Sequence, residues 1–133
     1  MSGNWDATLK LVYAVDDNQF FAVDTVEAGK AFDVIANLEI GKELMGFVSG
    51  YDLFVAVRNL TQSTSPPQLS KNQSVALTPS PNALNQEERI NFASGWTGAK
   101  EGDVLEVIAS LKVKAGIHTD YSLATSEPFM ISA

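Results

Sequence analysis

A strand pattern that occurs twice constrains this chain more than any other feature. Residues 28–41 read AGKAFDVIANLEIG, and residues 101–114 read EGDVLEVIASLKVK. Aligned, Gly29, Val34, Ile35, Ala36 and Leu38 match Gly102, Val107, Ile108, Ala109 and Leu111. Phe32/Leu105, Asp33/Glu106 and Ile40/Val113 are similar pairs. In each copy a turn glycine leads into a run with an apolar side chain at every second residue. A helix gathers residues 3.6 apart on one face, whereas a strand alternates its faces. Phe32, Val34, Ala36, Leu38 and Ile40 therefore predict a long strand with one buried face, and so do Leu105, Val107, Ala109, Leu111 and Val113.

The rest of the chain continues in the same idiom. Residues 8–15 alternate, with Leu9, Leu11, Tyr13 and Val15 on one face. Asp16, Asp17 and Asn18 make a turn, because short polar side chains bond locally to the backbone. Residues 20–24 resume as a short strand. Residues 41–50 contain three glycines and read as a flexible connection that tucks Leu44, Met45, Phe47 or Val48 onto the core. Residues 51–60 are apolar on both faces of their middle, as in a central strand. Pro66 and Pro67 mark residues 61–72 as a loop. A short strand follows at 73–77. Residues 82–89 are expected to form one or two helical turns, with Ser80 as N-cap and Pro81 at the first position. Short strands are expected at 89–93, 121–124 and 129–132.

Seven to nine strands, close turn signals and no long helix predict an all-β, antiparallel Greek-key sandwich. In such a sandwich the second and sixth strands often face each other across the core, and the two copies of the repeated pattern fall at about those positions. The 133 residues fit one domain, residues 1–133, since neither side of the proline loop is long enough to hide its own core. The layout resembles an immunoglobulin-like sandwich. The resemblance lies in the strand count, in the long strand after Ala28 and Gly29, and in Gly102 and Asp103 leading into a penultimate long strand. It departs from antibody domains in lacking the cysteine pair and the tryptophan such domains place in the strand at 51–60. The resemblance implies a fold and no activity.

Composition removes several function classes. With 16 acidic and 9 basic residues the net charge is −7, and the basic residues form no cluster. Nucleic acid and anionic membranes would be repelled. No basic n-region precedes an apolar run at the N-terminus, and no apolar run approaches the roughly 20 residues of a membrane span. Zero cysteines exclude disulfides and thiolate zinc sites, and their absence slightly favours the cytoplasm. The single histidine, His118, has Asp120 nearby, but no G-x-S-x-G element accompanies them. Neither phosphate-loop pattern occurs in residues 41–50. Glu87 and Glu88 are adjacent carboxylates that nothing selects for glycosidase chemistry. The expectation is a protein that is not an enzyme.

Three sets of residues could still bind something. Calcium needs only oxygen ligands, and Asp16, Asp17 and Asp24 cluster around one turn, although not at EF-hand spacing. The structural alternative is an exposed acidic hairpin end. Trp96, Trp5 and Tyr121 offer flat rings on which a sugar could stack, the alternative for the tryptophans being to cap the ends of the sandwich. Ile35, Phe54 and Ile108 lie on the second face of their strands. Together they would form an apolar patch for a partner, including a symmetric second copy. The reading is a non-catalytic binding or structural module whose partner is a protein or its own copy. The alternatives are a carbohydrate-binding module assisted by calcium, a subunit of a larger assembly, and a small carboxylate hydrolase.

Overall fold

The two copies of the repeated pattern become the central strands of two different sheets. The computed structural model describes residues 6–17 and 23–132. Its strands are β1 (Ala7–Asp16), β2 (Thr25–Glu27), β3 (Phe32–Ile40), β4 (Val48–Asn59), β5 (Ser70–Ala76), β6 (Leu84–Phe92), β7 (Val104–Ala115), β8 (His118–Thr125) and β9 (Phe129–Ser132). A single helical turn, α1 (Lys42–Met45), and a 3-10 turn at Pro67–Leu69 complete the elements. β3 sits between β1 and β6 in a three-stranded antiparallel sheet. β7 sits in the middle of a six-stranded sheet, with β4 and then β5 on one side and β8, β9 and β2 on the other.

Alternation predicted the buried faces of both central strands. Phe32, Val34, Ala36, Leu38 and Ile40 meet Leu105, Val107, Ala109, Leu111 and Val113 in one hydrophobic core. Leu44, Met45 and Val48 join it, as expected of residues that tuck down from a glycine-rich connection, whereas Phe47 is exposed. At one end of the core the Phe32 ring lies 5.3 Å from Phe92, 6.0 Å from Trp96 and 6.2 Å from Phe129, centroid to centroid. The glycine that opens each copy has a positive φ, +74° at Gly29 and +89° at Gly102. Side chains with a Cβ avoid that region, which accounts for glycine at both turns.

β8 and β9 form one broken strand along the edge of β7. Thr125 is opposite Ile108, but Phe129 is opposite Leu105, so the register slips by one residue across 126–128. Ser126 patches the gap: its N–H donates to the Val107 carbonyl at 2.9 Å, and its hydroxyl accepts from the Val107 N–H at 2.9 Å. The slip changes parity, and Phe129 and Ile131 point into the core. β9 then takes β2 as a parallel neighbour, Thr25 opposite Met130 and Glu27 opposite Ser132.

The sheets meet along two sides where no backbone ladder joins them, and side chains bridge both. On one side the N–H groups of Ala7 and Leu9 donate to Asp120 Oδ2 at 2.7 Å and Ser122 Oγ at 2.9 Å. On the other, Gln73 Nε2 donates to Glu88 Oε2 at 2.6 Å, and Lys71 Nζ donates to the Asn91 carbonyl. The Lys71 ammonium also sits 5.8 Å from the Phe92 ring centroid.

Two expectations are corrected. Residues 82–89 are not helical; they form most of β6, paired with β3 from Leu84 to Phe92. The period is hidden because Glu88 occupies a core-facing position of that strand, opposite Ala36, where an apolar residue would normally announce the face. The loop expected at 61–72 is shorter, since β5 begins at Ser70. The short strand expected at 20–24 falls largely outside the described residues, and the strand that follows is β2.

A buried carboxylate anchors the start of β7. Asp103 Oδ2 accepts from Asn59 Nδ2 at 2.9 Å, Gln62 Nε2 at 2.7 Å and the Lys100 N–H at 3.0 Å. The Asn59 amide, then the Lys100 N–H, hold this carboxyl below its ordinary range. A depressed folded-state value means that Asp103 stabilises the fold above the unfolded-state pKa of about 3.9 and that this contribution fades as pH falls below it. Urea midpoints measured from pH 7 down to pH 2.5 should therefore fall less steeply for Asp103→Ala than for the wild type, the variant starting lower at pH 7. In the core, Ala109→Leu should cost about 1–3 kcal/mol by overpacking. Ser110→Ala, one residue along on the opposite face, should stay within about 0.5 kcal/mol.

Candidate functional site

The outward face of the six-stranded sheet follows from the register of β7. Its inward residues fill the core, so Ile108, Ser110 and Lys112 face outward. Across the sheet they align in rows. Ala56, Ile108 and Thr125 form one, and Asn72, Phe54, Ser110 and Leu123 the next. Ser74, Asp52, Lys112 and Tyr121 form a third. Phe54 is 44% exposed, Leu123 76% and Tyr121 67%. Diagonal neighbours on one face lie within reach of large side chains. Ile108 on β7 is diagonal to both Phe54 on β4 and Leu123 on β8, and Tyr121 lies two residues from Leu123 on the same face, so the four make an apolar strip across β4, β7 and β8.

Charges frame this strip. Lys114 pairs with Asp52 at 3.2 Å, and the Ser74 hydroxyl donates to Asp52 Oδ1 at 2.5 Å. The Ser74 hydroxyl first, and then Lys114, hold the Asp52 carboxyl below its ordinary range, so it is charged at neutral pH. Arg58 lies opposite Glu106 at the far end. The face thus carries Arg58, Lys112 and Lys114 against Asp52 and Glu106, close to neutral in a chain of net charge −7. It is apolar at its centre, with the Lys114–Asp52 ion pair at one end and Arg58 opposite Glu106 at the other.

The structure brings together two of the three residues expected at an interface. Phe54 and Ile108 share this face, whereas Ile35 is on the other sheet and is 0% exposed. Ile35 lies on a central strand between Tyr13 and Arg89, and both faces of β3 are covered at that point. Sequence reasoning missed Leu123. Its signal was the alternation of Tyr121 with Leu123 in an otherwise polar strand.

The expected sugar platform is not assembled. Trp96 is only 5% exposed; its Nε1 donates to the Lys30 carbonyl at 2.8 Å, and its ring meets Phe32 edge-on. It caps the end of the core, with no free ring face for a sugar. Trp5 lies outside the described residues. Tyr121 is exposed, but on the sheet face, far in the register from the Trp96 turn. The acidic turn is exposed: Asp16 ends β1, Asp17 Oδ1 accepts from Asn91 Nδ2 at 2.9 Å, and the Asp24 carbonyl accepts from the Met130 N–H at 2.9 Å. Among the described residues no three His, Cys, Asp or Glu side chains gather as metal ligands. Asp120 is engaged with the Ala7 N–H rather than with His118. Glu87 and Glu88 point to opposite faces of β6 and form no facing pair.

Glu88 belongs to a buried network instead. Its Oε1 accepts from the Tyr51 hydroxyl at 2.9 Å and from Gln86 Nε2 at 3.1 Å. Burial first, and then Glu88, push the Tyr51 phenol well above its ordinary range. The network closes the β5–β6 side of the sandwich.

No family model matches this chain, and no curated protein matches it. Among solved structures it is similar to Spo0M, a sporulation control protein from Bacillus subtilis, at 14% identity and a TM-score of 0.41. The likeness covers 96% of this chain and 50% of that one, so the chain spans about half the length of the structure it matches. At that distance it carries no argument about function.

Because its folded-state value is raised, Tyr51 stabilises the fold below pH about 10 and loses that contribution as pH rises. In an alkaline spectrophotometric titration, one of the three tyrosines should ionise only together with unfolding. Tyr51→Phe should remove that late phase. Glu88→Ala, which strands the buried hydroxyl, should cost about 1–3 kcal/mol in urea denaturation.

Proposed function

We propose that this chain is a non-catalytic interaction module that associates with a second copy of itself through the outward face of the six-stranded sheet. The observation that carries the reading is the exposed strip of Phe54, Leu123 and Tyr121 between paired charges. Elsewhere an excess of acid makes two copies repel; on this face the charges nearly balance, so two copies can approach. A two-fold contact would set Lys112 and Arg58 of one copy against Asp52 and Glu106 of the other.

The immunoglobulin-like reading of the topology has support in the strand order. β1 pairs with β3, while the next strand, β2, crosses to the other sheet and runs parallel to the last strand, β9. The order β9–β7–β4–β5 in the large sheet follows the G–F–C–C′ order of that fold. The cysteine positions of antibody domains have no counterpart here.

Light scattering on size-exclusion chromatography tests the association. Wild-type protein should elute as a dimer at micromolar concentration. Leu123→Asp combined with Phe54→Asp should give a monomer whose unfolding free energy per chain is lowered by no more than about 1 kcal/mol, since both sites are on the surface. A wild-type monomer at every concentration would sink the self-association.

A further inference from the structure

We infer that the free edge of β5 is a second contact surface, and that its occupant is β5 of another copy, paired antiparallel about a two-fold axis at Gln73. This contact is separate from the sheet-face association and does not depend on it.

β5 ends the six-stranded sheet, with β4 on one side and no strand on the other. Two contacts fix the direction of its backbone. The Leu77 N–H donates to the Ser49 carbonyl at 3.0 Å. The Val75 carbonyl packs against Gly50, where a Cβ would come within 2.7 Å of it. Both groups point toward β4, and backbone groups of alternate residues point to opposite sides of a strand. Lys71, Gln73 and Val75 therefore bond to β4, while Ser70, Asn72, Ser74 and Ala76 turn their N–H and carbonyl groups away from the sheet. Among the described residues no hydrogen bond reaches the main chain of Asn72 or Ser74. Asn72, Ser74 and Ala76 are exposed, so this edge is open to solvent.

The bridges to β6 leave it open. Lys71 and Gln73 are opposite the core residues Val55 and Leu53, and they reach Asn91 and Glu88 from the inward face of β5. Folded proteins guard bare edges with prolines, bulges or an edge lysine. β5 has no proline, and its register with β4 runs unbroken from Ser70 to Ala76. Its one lysine does not stand guard, because the Lys71 ammonium is held by the Asn91 carbonyl, 5.8 Å from the Phe92 ring centroid.

Sequence and charge select the occupant. β5 reads SKNQSVA, with one base and no acid in a chain of net charge −7. Two copies that repel over most of their surface can meet along this strand. Pairing about Gln73 sets Ser70 opposite Ala76 of the other copy, Lys71 opposite Val75, and Asn72 opposite Ser74. The outward-turned residues then fall opposite one another and bond in pairs, and no like charges meet. The two lysines end about 13 Å apart. A register shifted by one residue would set an outward residue against one committed to β4. Such a contact is mostly backbone, and each bond contributes a net of about 1 kcal/mol, so it is weaker than a buried apolar face. A copy with both a two-fold face and a two-fold edge does not stop at a dimer; it builds a closed tetramer or an open array.

Amide exchange by NMR on the Phe54→Asp, Leu123→Asp variant tests the edge without the sheet face. That variant is a monomer at micromolar concentration. Between about 10 μM and about 1 mM, the range of a weak contact, its Asn72 and Ser74 amides should slow about fivefold, and light scattering should rise toward a dimer. Gln73 and Val75, bonded to β4, should not change. Ser74→Pro removes an edge N–H and no ladder bond, so it should keep the native spectrum and lose the concentration dependence. Asn72→Lys with Ser74→Lys should also stay monomeric, whereas Asn72→Glu with Ser74→Lys, which sets opposite charges across the axis, should pair more tightly. Three results would overturn the proposal: Asn72 and Ser74 exchange independent of concentration, a monomer at about 1 mM, or equal protection of Asn72 by a capped threonine heptapeptide, which would make the edge a general acceptor of strands. Equal association of wild type and the double aspartate variant would instead remove the sheet face and leave the edge standing.

Discussion

Two sheets can share a core only if the backbone along their meeting edges finds hydrogen-bond partners, and in this protein side chains provide them. Asp120 and Ser122 reach from β8 to the N–H groups of β1. Between β5 and β6, Lys71 does the same for the Asn91 carbonyl, while Gln73 and Glu88 join side chain to side chain. Neither side is a ladder, so the sheets keep their separate twists and stay close enough to bury one core. The polar residues in these bridges sit where a simple reading would put solvent or core.

The parts of the fold legible in the sequence were those with strict alternation. β3 and β7 could be read because every second residue is apolar and because a glycine at positive φ punctuates each start. β6 could not, because Glu88 takes a core position by bonding to Tyr51 and Gln73. A carboxylate in that place looks like a surface residue until its partners, far away in the chain, are known. The residues expected at an interface show a related limit. Alternation separates the two faces of a strand but does not say whether the second face is covered. Phe54 and Ile108 are on an open face, and Ile35 is on a covered one, although all three carry the same local pattern.

Charge distribution ties the surface features together. The bases of the large sheet concentrate on one face, where Lys114 pairs with Asp52 and Arg58 faces Glu106. The rest of the surface is left strongly acidic. Such a surface resists casual association, and the outward face of the large sheet, with its near-balanced charge, differs from it. The buried ionisable groups are, by contrast, consumed by structure. Asp103 holds the start of β7, and Tyr51 is locked as a neutral donor, so neither is free to exchange a proton near neutral pH.

The parallel pairing of β2 with β9 bears on how the chain is made. β1, β3 and β6 contain everything needed for the small sheet, which is in hand once residue 92 has been synthesised. Thr25 and Val26, near the beginning of that stretch, wait for Met130 and Ile131. A ribosome releasing the chain in order therefore leaves a short strand unpaired from residue 27 until residue 130, and beside a finished small sheet from residue 92 onward. Docking of the last strand ends that exposure, so a stall late in translation would leave the nascent protein holding an open edge.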